Sequence, residues 1–374
     1  MTTPASTRQA RRLFILGGMS LLALSGCQTG RPSTRPGMQV PQEALRNPVA
    51  LLAPLTGPDG AVGLSIANAA KLALLDTNNQ SIRLTVYNTA DGGAGAAAAR
   101  ALSDGNRLIL GPLLADDVRA VMPVAQAAGV PVIAYSNDAT VAGNGVYLLG
   151  FSPAQAIDRV IVQARSAGAT RFAAIVPNST YGQRSTQAFF ASVQRAGGTV
   201  AGVETYATAD DARSAARRLS NRGNFDAVLI GDGIRAATLL APSLKVGPRL
   251  LGPSLWAGAP GLGATARLRG AWFAAPSDTR FNQFVTRYRA RYGAAPDRLA
   301  SLGYDSVLLT VSASKAWEPG RRFPDRALGE DEGFVGVDGV FRFGRDGIAQ
   351  RAFEVRQVTA TGSGVVAAAP SSFK

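Results

Sequence analysis

From Pro48 onward the chain alternates short strand-like runs with helical stretches, and this alternation limits the fold more than any other feature. Val49–Ala53 reads as a buried strand, and about 61–76 as a helix with a broad apolar face. Strands follow at 84–87, 108–110 and 130–134, with helices over 94–102 and 117–128, the second stopped by Gly129. A second set opens near 153, with helices over 153–167, 182–196 and 210–221 and strands at 172–176, 199–206 and 225–230. Strands separated by helices pair in parallel through right-handed crossovers. The expected fold class is therefore α/β, with two doubly wound parallel-sheet lobes. The C-terminal third differs. It offers longer amphipathic helices at 281–292 and 299–316, then a β-hairpin of 339–343 and 353–358 turned through Gly344-Arg-Asp-Gly347.

Composition narrows the chemistry. The 374 residues include no histidine and one cysteine. That excludes Ser-His-Asp and Cys-His catalytic pairs, His-ligated zinc and a disulfide within the chain. No cofactor, metal or catalytic residue is expected. Carboxylates such as Asp116, Asp117 and Asp138 could in principle serve an enzyme or hold Mg²⁺, but Asp116 and Asp117 open a helix, where capping and the macrodipole account for them. Gly57, Gly60 and Gly63 follow a strand as in a phosphate loop, yet no Lys-Ser/Thr follows and the spacing is not G-x-G-x-x-G. The net charge of +14 is scattered and reads as a solvated basic surface, with no nucleic-acid partner implied.

The N-terminus sets an expected compartment. Arg8, Arg11 and Arg12 precede an apolar stretch from Leu13 to Leu24, shorter than the roughly 20 residues of a membrane span. Leu24-Ser-Gly-Cys27 resembles the bacterial lipobox. The resemblance implies a lipoprotein signal peptide at 1–26 and a lipid on Cys27, which two or three acyl chains would anchor firmly. Residues 27–47, rich in Pro, Gly and polar residues, form the expected flexible tether. Gln28, where inner-membrane retention would place Asp, implies the inner leaflet of the outer membrane, facing the periplasm.

Five blocks in order carry a family resemblance. Pro54-Leu-Thr-Gly-Pro-Asp-Gly-Ala-Val-Gly63 with its helix, and Ile109–Pro112 through Gly129–Ile133, resemble the type I periplasmic binding proteins of the leucine/isoleucine/valine-binding group. So do Tyr181-Gly-Gln183 with Gly197-Gly198, Arg287–Gly293 with Pro296 and Gly303-Tyr-Asp305, and Gly339–Phe343. The resemblance implies two lobes that close over a cleft about three crossovers, one of 48–149 plus 275–334 and the other of 150–274 plus 335–374. Ligands of open parallel sheets sit beyond the carboxyl ends of the strands. The candidate ligand-binding residues are therefore Leu55, Thr56, Leu114, Ala115, Asp116, Ser136, Asn137, Asp138, Tyr181, Asp232, Ser254 and Trp256. Tyr181 and Trp256 could equally be packing aromatics. In the family a Ser and backbone N–H groups hold the ligand carboxylate, while a Thr and a Glu hold its ammonium. Those positions carry Ala115, Asp138 and Ser254 here, an unfavourable set for a free α-amino acid.

Two non-enzymatic functions share this fold. The leading expectation is an interaction or ligand-sensing protein that resembles the penicillin-binding protein activators, lipoproteins that contact a peptidoglycan synthase, and it is favoured by Gln28 and the altered clamp. The other is a solute-binding receptor that hands a small molecule to an ABC permease, and it is favoured by the complete two-lobe pattern.

Overall fold

The computed structural model describes residues 46–259, 261–370 and 373. Its first sheet grows from β1 (Asn47–Ala53), whose last five residues are fully buried and apolar. The next elements are α1 (Gly60–Thr77), β2 (Ile82–Asn88), α2 (Ala94–Ser103), β3 (Ile109–Leu110), α3 (Ala115–Ala128), β4 (Val132–Ala134) and β5 (Val146–Leu148). The sheet runs β2-β1-β3-β4-β5, all parallel. Gly129 ends α3 in the left-handed conformation, with φ 63°, as its place in the sequence predicts.

The second sheet is larger. After α4 (Pro153–Ser166) come β6 (Arg171–Pro177), α5 (Thr180–Arg195), β7 (Thr199–Tyr206), α6 (Ala209–Asn221), β8 (Ala227–Ile230), α7 (Ile234–Leu240), β9 (Arg249–Gly252) and β10 (Trp272–Ala275). The chain then returns to the first lobe with α8 (Asp278–Tyr292) and α9 (Ala300–Ala313). Helix α9 is apolar and buried almost all round, packed on α1. A small antiparallel sheet, β11 (Phe334–Gly336), β12 (Gly339–Phe343) and β13 (Ala349–Arg351), covers the same core through Phe334, Phe341 and Phe343. Finally β14 (Glu354–Val358) and β15 (Ser363–Ala367) complete a second sheet of order β15-β14-β10-β9-β8-β6-β7. The strands from β10 to β7 are parallel, and β14 and β15 are antiparallel additions.

The two sets of strand–helix units thus form two parallel-sheet lobes. Two expectations change. The turn at Gly344–Gly347 does make a hairpin, but β12 pairs with β13 at 349–351 rather than with 353–358. The segment 353–358 instead joins the second sheet beside β10. The chain therefore leaves the first lobe between Arg351 and Glu354, not near 335. The aromatic residues of β11 and β12 explain why: Phe334, Phe341 and Phe343 are buried in the core under α9.

One steric device repeats in both lobes. A Cβ on Gly63 would lie 1.7 Å from the Pro54 carbonyl oxygen, and a Cβ on Gly182 would lie 1.7 Å from the Pro177 carbonyl oxygen. Each glycine lets the first turn of a helix rest on the end of the preceding strand. This accounts for Gly63 sterically, without a phosphate. Both strands sit where strand order reverses, β1 beside β3 and β6 beside β8. The loops at those two points face the gap between the lobes.

Candidate functional site

A cavity of about 610 Å³ lies in that gap. The first lobe contributes Val62, Leu113, Leu114, Tyr135 and Leu299, and the second contributes Tyr181, Leu255, Ala257 and Ala259. Phe151, Pro153 and Pro276 line it from the connections between lobes. The polar lining is sparse: Asp59, Asn137, Ser254 and Arg298. Such a chamber, apolar with a few placed polar groups, suits a small organic ligand. A second hollow of about 650 Å³ belongs to one lobe only, among charged loop tips such as Arg322, Asp325, Arg345 and Asp346.

The structure distributes the sequence candidates unevenly. Leu114, Asn137, Tyr181 and Ser254 line the cavity. Tyr181 opens α5, where Ser179 caps the helix by accepting the Gly182 N–H at 3.2 Å, and burial pushes the Tyr181 hydroxyl well above its ordinary pKa. Leu55 and Thr56 sit beside the chamber, tied to Asn88. The Leu55 N–H donates to Asn88 Oδ1 at 2.8 Å, and Asn88 Nδ2 donates to Thr56 Oγ1 at 3.2 Å. Ala115 begins α3 behind Leu114 and supplies no hydroxyl. Asp116 points to solvent and pairs with Arg119 at 2.7 Å.

Four candidates are engaged within the protein itself. Ser136 Oγ accepts the Asp138 N–H at 3.1 Å. Asp138 is 4% exposed, and its carboxylate meets Arg184 at 2.6 Å and Arg119 at 3.1 Å. Burial alone would raise its carboxyl. The two Thr140 hydrogen bonds, Arg184 and Arg119 outweigh that and hold it below the ordinary range. Arg184 belongs to α5 of the second lobe, and its other nitrogen donates to Asn137 Oδ1 at 3.0 Å. A clasp thus spans the lobes. Asp232 accepts the Tyr206 hydroxyl, and its backbone carbonyl accepts the Trp256 indole N–H at 2.9 Å. Trp256 is 0% exposed, stacked over Gly252 and against Phe273 in the second lobe's core. It is a packing plug, the bland alternative its Gly/Pro-rich loop left open.

The chamber also uses residues that the sequence reading passed over. Arg298, just before α9, is the one cationic side chain lining it among the described residues. Its Nη2 donates to Asp338 Oδ1 at 2.6 Å and its Nη1 to Ser301 Oγ at 3.1 Å. Its guanidinium lies 4.1 Å from the Phe281 ring centroid and 5.0 Å from that of Phe151. Nothing local marks one arginine among so many. Only its place between Pro296 and Gly303-Tyr-Asp305 could have singled it out.

Residues 48–363 match the family of periplasmic binding proteins. The chain belongs to that family. It is a non-enzymatic, periplasmic solute-binding protein. An uncharacterized protein of Rickettsia prowazekii (strain Madrid E) is 24% identical over 244 residues, 62% of this chain and 65% of that relative. The match therefore spans just under two thirds of the relative's own length. A putative branched-chain amino acid ABC transporter from Rhodospirillum rubrum shares the fold with a TM-score of 0.75 at 20% identity, over 86% of this chain and 100% of that one. Full-length LpoA from Haemophilus influenzae does so with a TM-score of 0.68 at 20% identity, over 86% of this chain and 59% of that one. At such identities the likeness concerns the fold.

Proposed function

We propose that this periplasmic binding protein is the receptor of an uptake system and captures a small, largely apolar solute between its lobes for an ABC permease. The observation that carries the reading is the apolar chamber of about 610 Å³ walled by both lobes. A ligand giving up roughly 250 Å² of apolar surface there gains about 6 kcal/mol before the costs of immobilisation. The polar fittings of an α-amino-acid site do not support a zwitterion, since Asp138 is matched by two arginines and Ala115 lacks a hydroxyl. In this reading the twelve sequence candidates divide. Leu114, Asn137, Tyr181 and Ser254 face the solute, while Asp138 and Trp256 serve the protein.

The lipobox and Gln28, both outside the described residues, support a chain anchored through lipid on Cys27 in the outer membrane. That sorting, with the likeness to LpoA, favours a second reading: an activator-like partner of a peptidoglycan synthase. A thermal-shift screen of small acids, amides, sugars and amino acids, run beside a pull-down from membranes, tests both. A melting shift with any solute supports the receptor. No shift with any solute, together with capture of a peptidoglycan synthase, would replace it by the second reading.

A further inference from the structure

The cleft floor carries an ionic cluster that the receptor reading leaves unused. Behind Arg298 lie Asp338, Asp305 and Arg351, which are 0%, 0% and 7% exposed. Asp305, from α9, accepts the Val337 N–H at 2.7 Å and so holds the turn that carries Asp338. Arg351, at the last connection between lobes, donates from Nη2 to the Leu149 carbonyl at 2.6 Å. Its guanidinium lies 4.5 Å from the ring centroid of Phe151. Phe151 is therefore flanked by two guanidiniums and is itself a wall of the chamber.

The cluster does not satisfy all of its own polar atoms. Arg351 Nε and Nη1 are buried without a hydrogen-bond partner among the described residues. Arg298 and Arg351 face two carboxyls, and one of these, Asp305, is pushed by burial and by Asp338 to about 7. Asp338 Oδ2 is likewise buried without a hydrogen-bond partner among the described residues, so the cluster is incompletely hydrogen-bonded on both sides. Buried charged groups are costly unless they are paired and hydrogen-bonded. Arg298 is the member that reaches the chamber, with a side chain 34% exposed. Around it the walls are apolar.

We propose that Arg298 anchors the carboxylate of an apolar monocarboxylic acid, aryl or branched alkyl, whose hydrocarbon part fills the chamber between Leu113, Tyr181 and Leu255. The inference rests on the receptor reading and adds to it the chemical class of the solute. The anion takes the N–H groups of the Arg298 guanidinium that Asp338 and Ser301 do not use, the donors that lie against the chamber. A molecule of the same shape without the charge fills the same space but offers those donors no anionic partner.

Calorimetry on the full chain with benzoate and 4-methylpentanoate, each beside its primary amide, tests the anchor. The acids should bind at least about tenfold tighter than the amides, the factor expected of a charge-assisted hydrogen bond. Arg298→Gln leaves Asp338 buried without its partner and can fail to fold, so the variant is made together with Asp338→Asn. That pair should abolish the preference for acid over amide. Amides binding as tightly as acids would overturn the anchor and leave the receptor standing, and so would an acid preference that survives the double substitution. Binding confined to sugars or amino acids in the wider screen has the same meaning. No binding of any solute would overturn both.

Discussion

Asp138 carries its charge into the gap between the lobes, but the charge is already matched. A leucine-type ligand would need that carboxylate for its ammonium and a hydroxyl near Ala115 for its carboxylate, and neither is on offer. Leaving a ligand charge unpaired on burial costs several kcal/mol, and each 1.4 kcal/mol is tenfold in affinity. Leucine, isoleucine and valine should therefore give no heat of binding in calorimetry at about 50 μM protein; micromolar binding of any of them would refute this. Asp305 gives a second expectation. Its carboxyl is pushed to about 7 by burial and by Asp338, so the folded protein keeps a proton that the unfolded chain releases near pH 4. The stability due to that proton is fully present below pH 4, is lost as pH rises, and is gone above about 7. Asp138 and Asp226, both lowered, act in the opposite sense, losing stability only as pH falls below the ordinary carboxylate range. Asp305→Asn should remove the decline between about pH 4 and 7 in urea unfolding. Curves for variant and wild type that stay parallel over that interval would show the proton is not there.

At the scale of elements, the strand ends that face the gap are held by contact rather than by capping alone. A methyl group at Gly63 or Gly182 would overlap a carbonyl oxygen, so Gly63→Ala and Gly182→Ala should each cost about 3 kcal/mol or more in denaturant unfolding. A loss below 1 kcal/mol in both would mean the helix starts can slide freely. Trp256→Ala should cost a similar 3–5 kcal/mol by emptying the plug over Gly252. The elements legible in the sequence were those with a strong period of their own. The β1–α1 and β6–α5 units and the return helices α8 and α9 stand within about three residues of where apolar spacing and stop signals place them. Strands β5, β9 and β10 were not legible, because they are three or four residues long and lie between glycine- and proline-rich turns. The pairing of β14 was misread for a different reason. Sequence proximity favours a hairpin, whereas pairing with the edge of β10 buries Phe353, Val355 and Val358 in the cores of the second lobe. The site was legible only where a residue follows a strand directly, as Leu114 and Tyr181 do. Arg298 precedes a helix and enters from the side.

Taken whole, the molecule is two sheets tied by three connections and by side-chain contacts across the gap: Arg184 to Asp138 and Asn137 at the cleft, and Arg356 to Asp278 and Gln155 to β13 beside the connections. Arg184→Ala should shift the lobes toward an open arrangement, seen as a larger radius of gyration in small-angle scattering. High salt should do the same to the wild type only in part, because Asp138 is shielded from solvent. Superimposable scattering from variant and wild type would show that the clasp holds nothing closed. A fastening made from the protein's own side chains acts alike on a loaded and an empty chamber. It therefore drops out of any preference between solutes and enters instead as a time: each molecule inside must wait for Arg184 to let go before it can leave. Dwell times for chemically different occupants should then share one common factor, set by a pair of residues that need touch none of them.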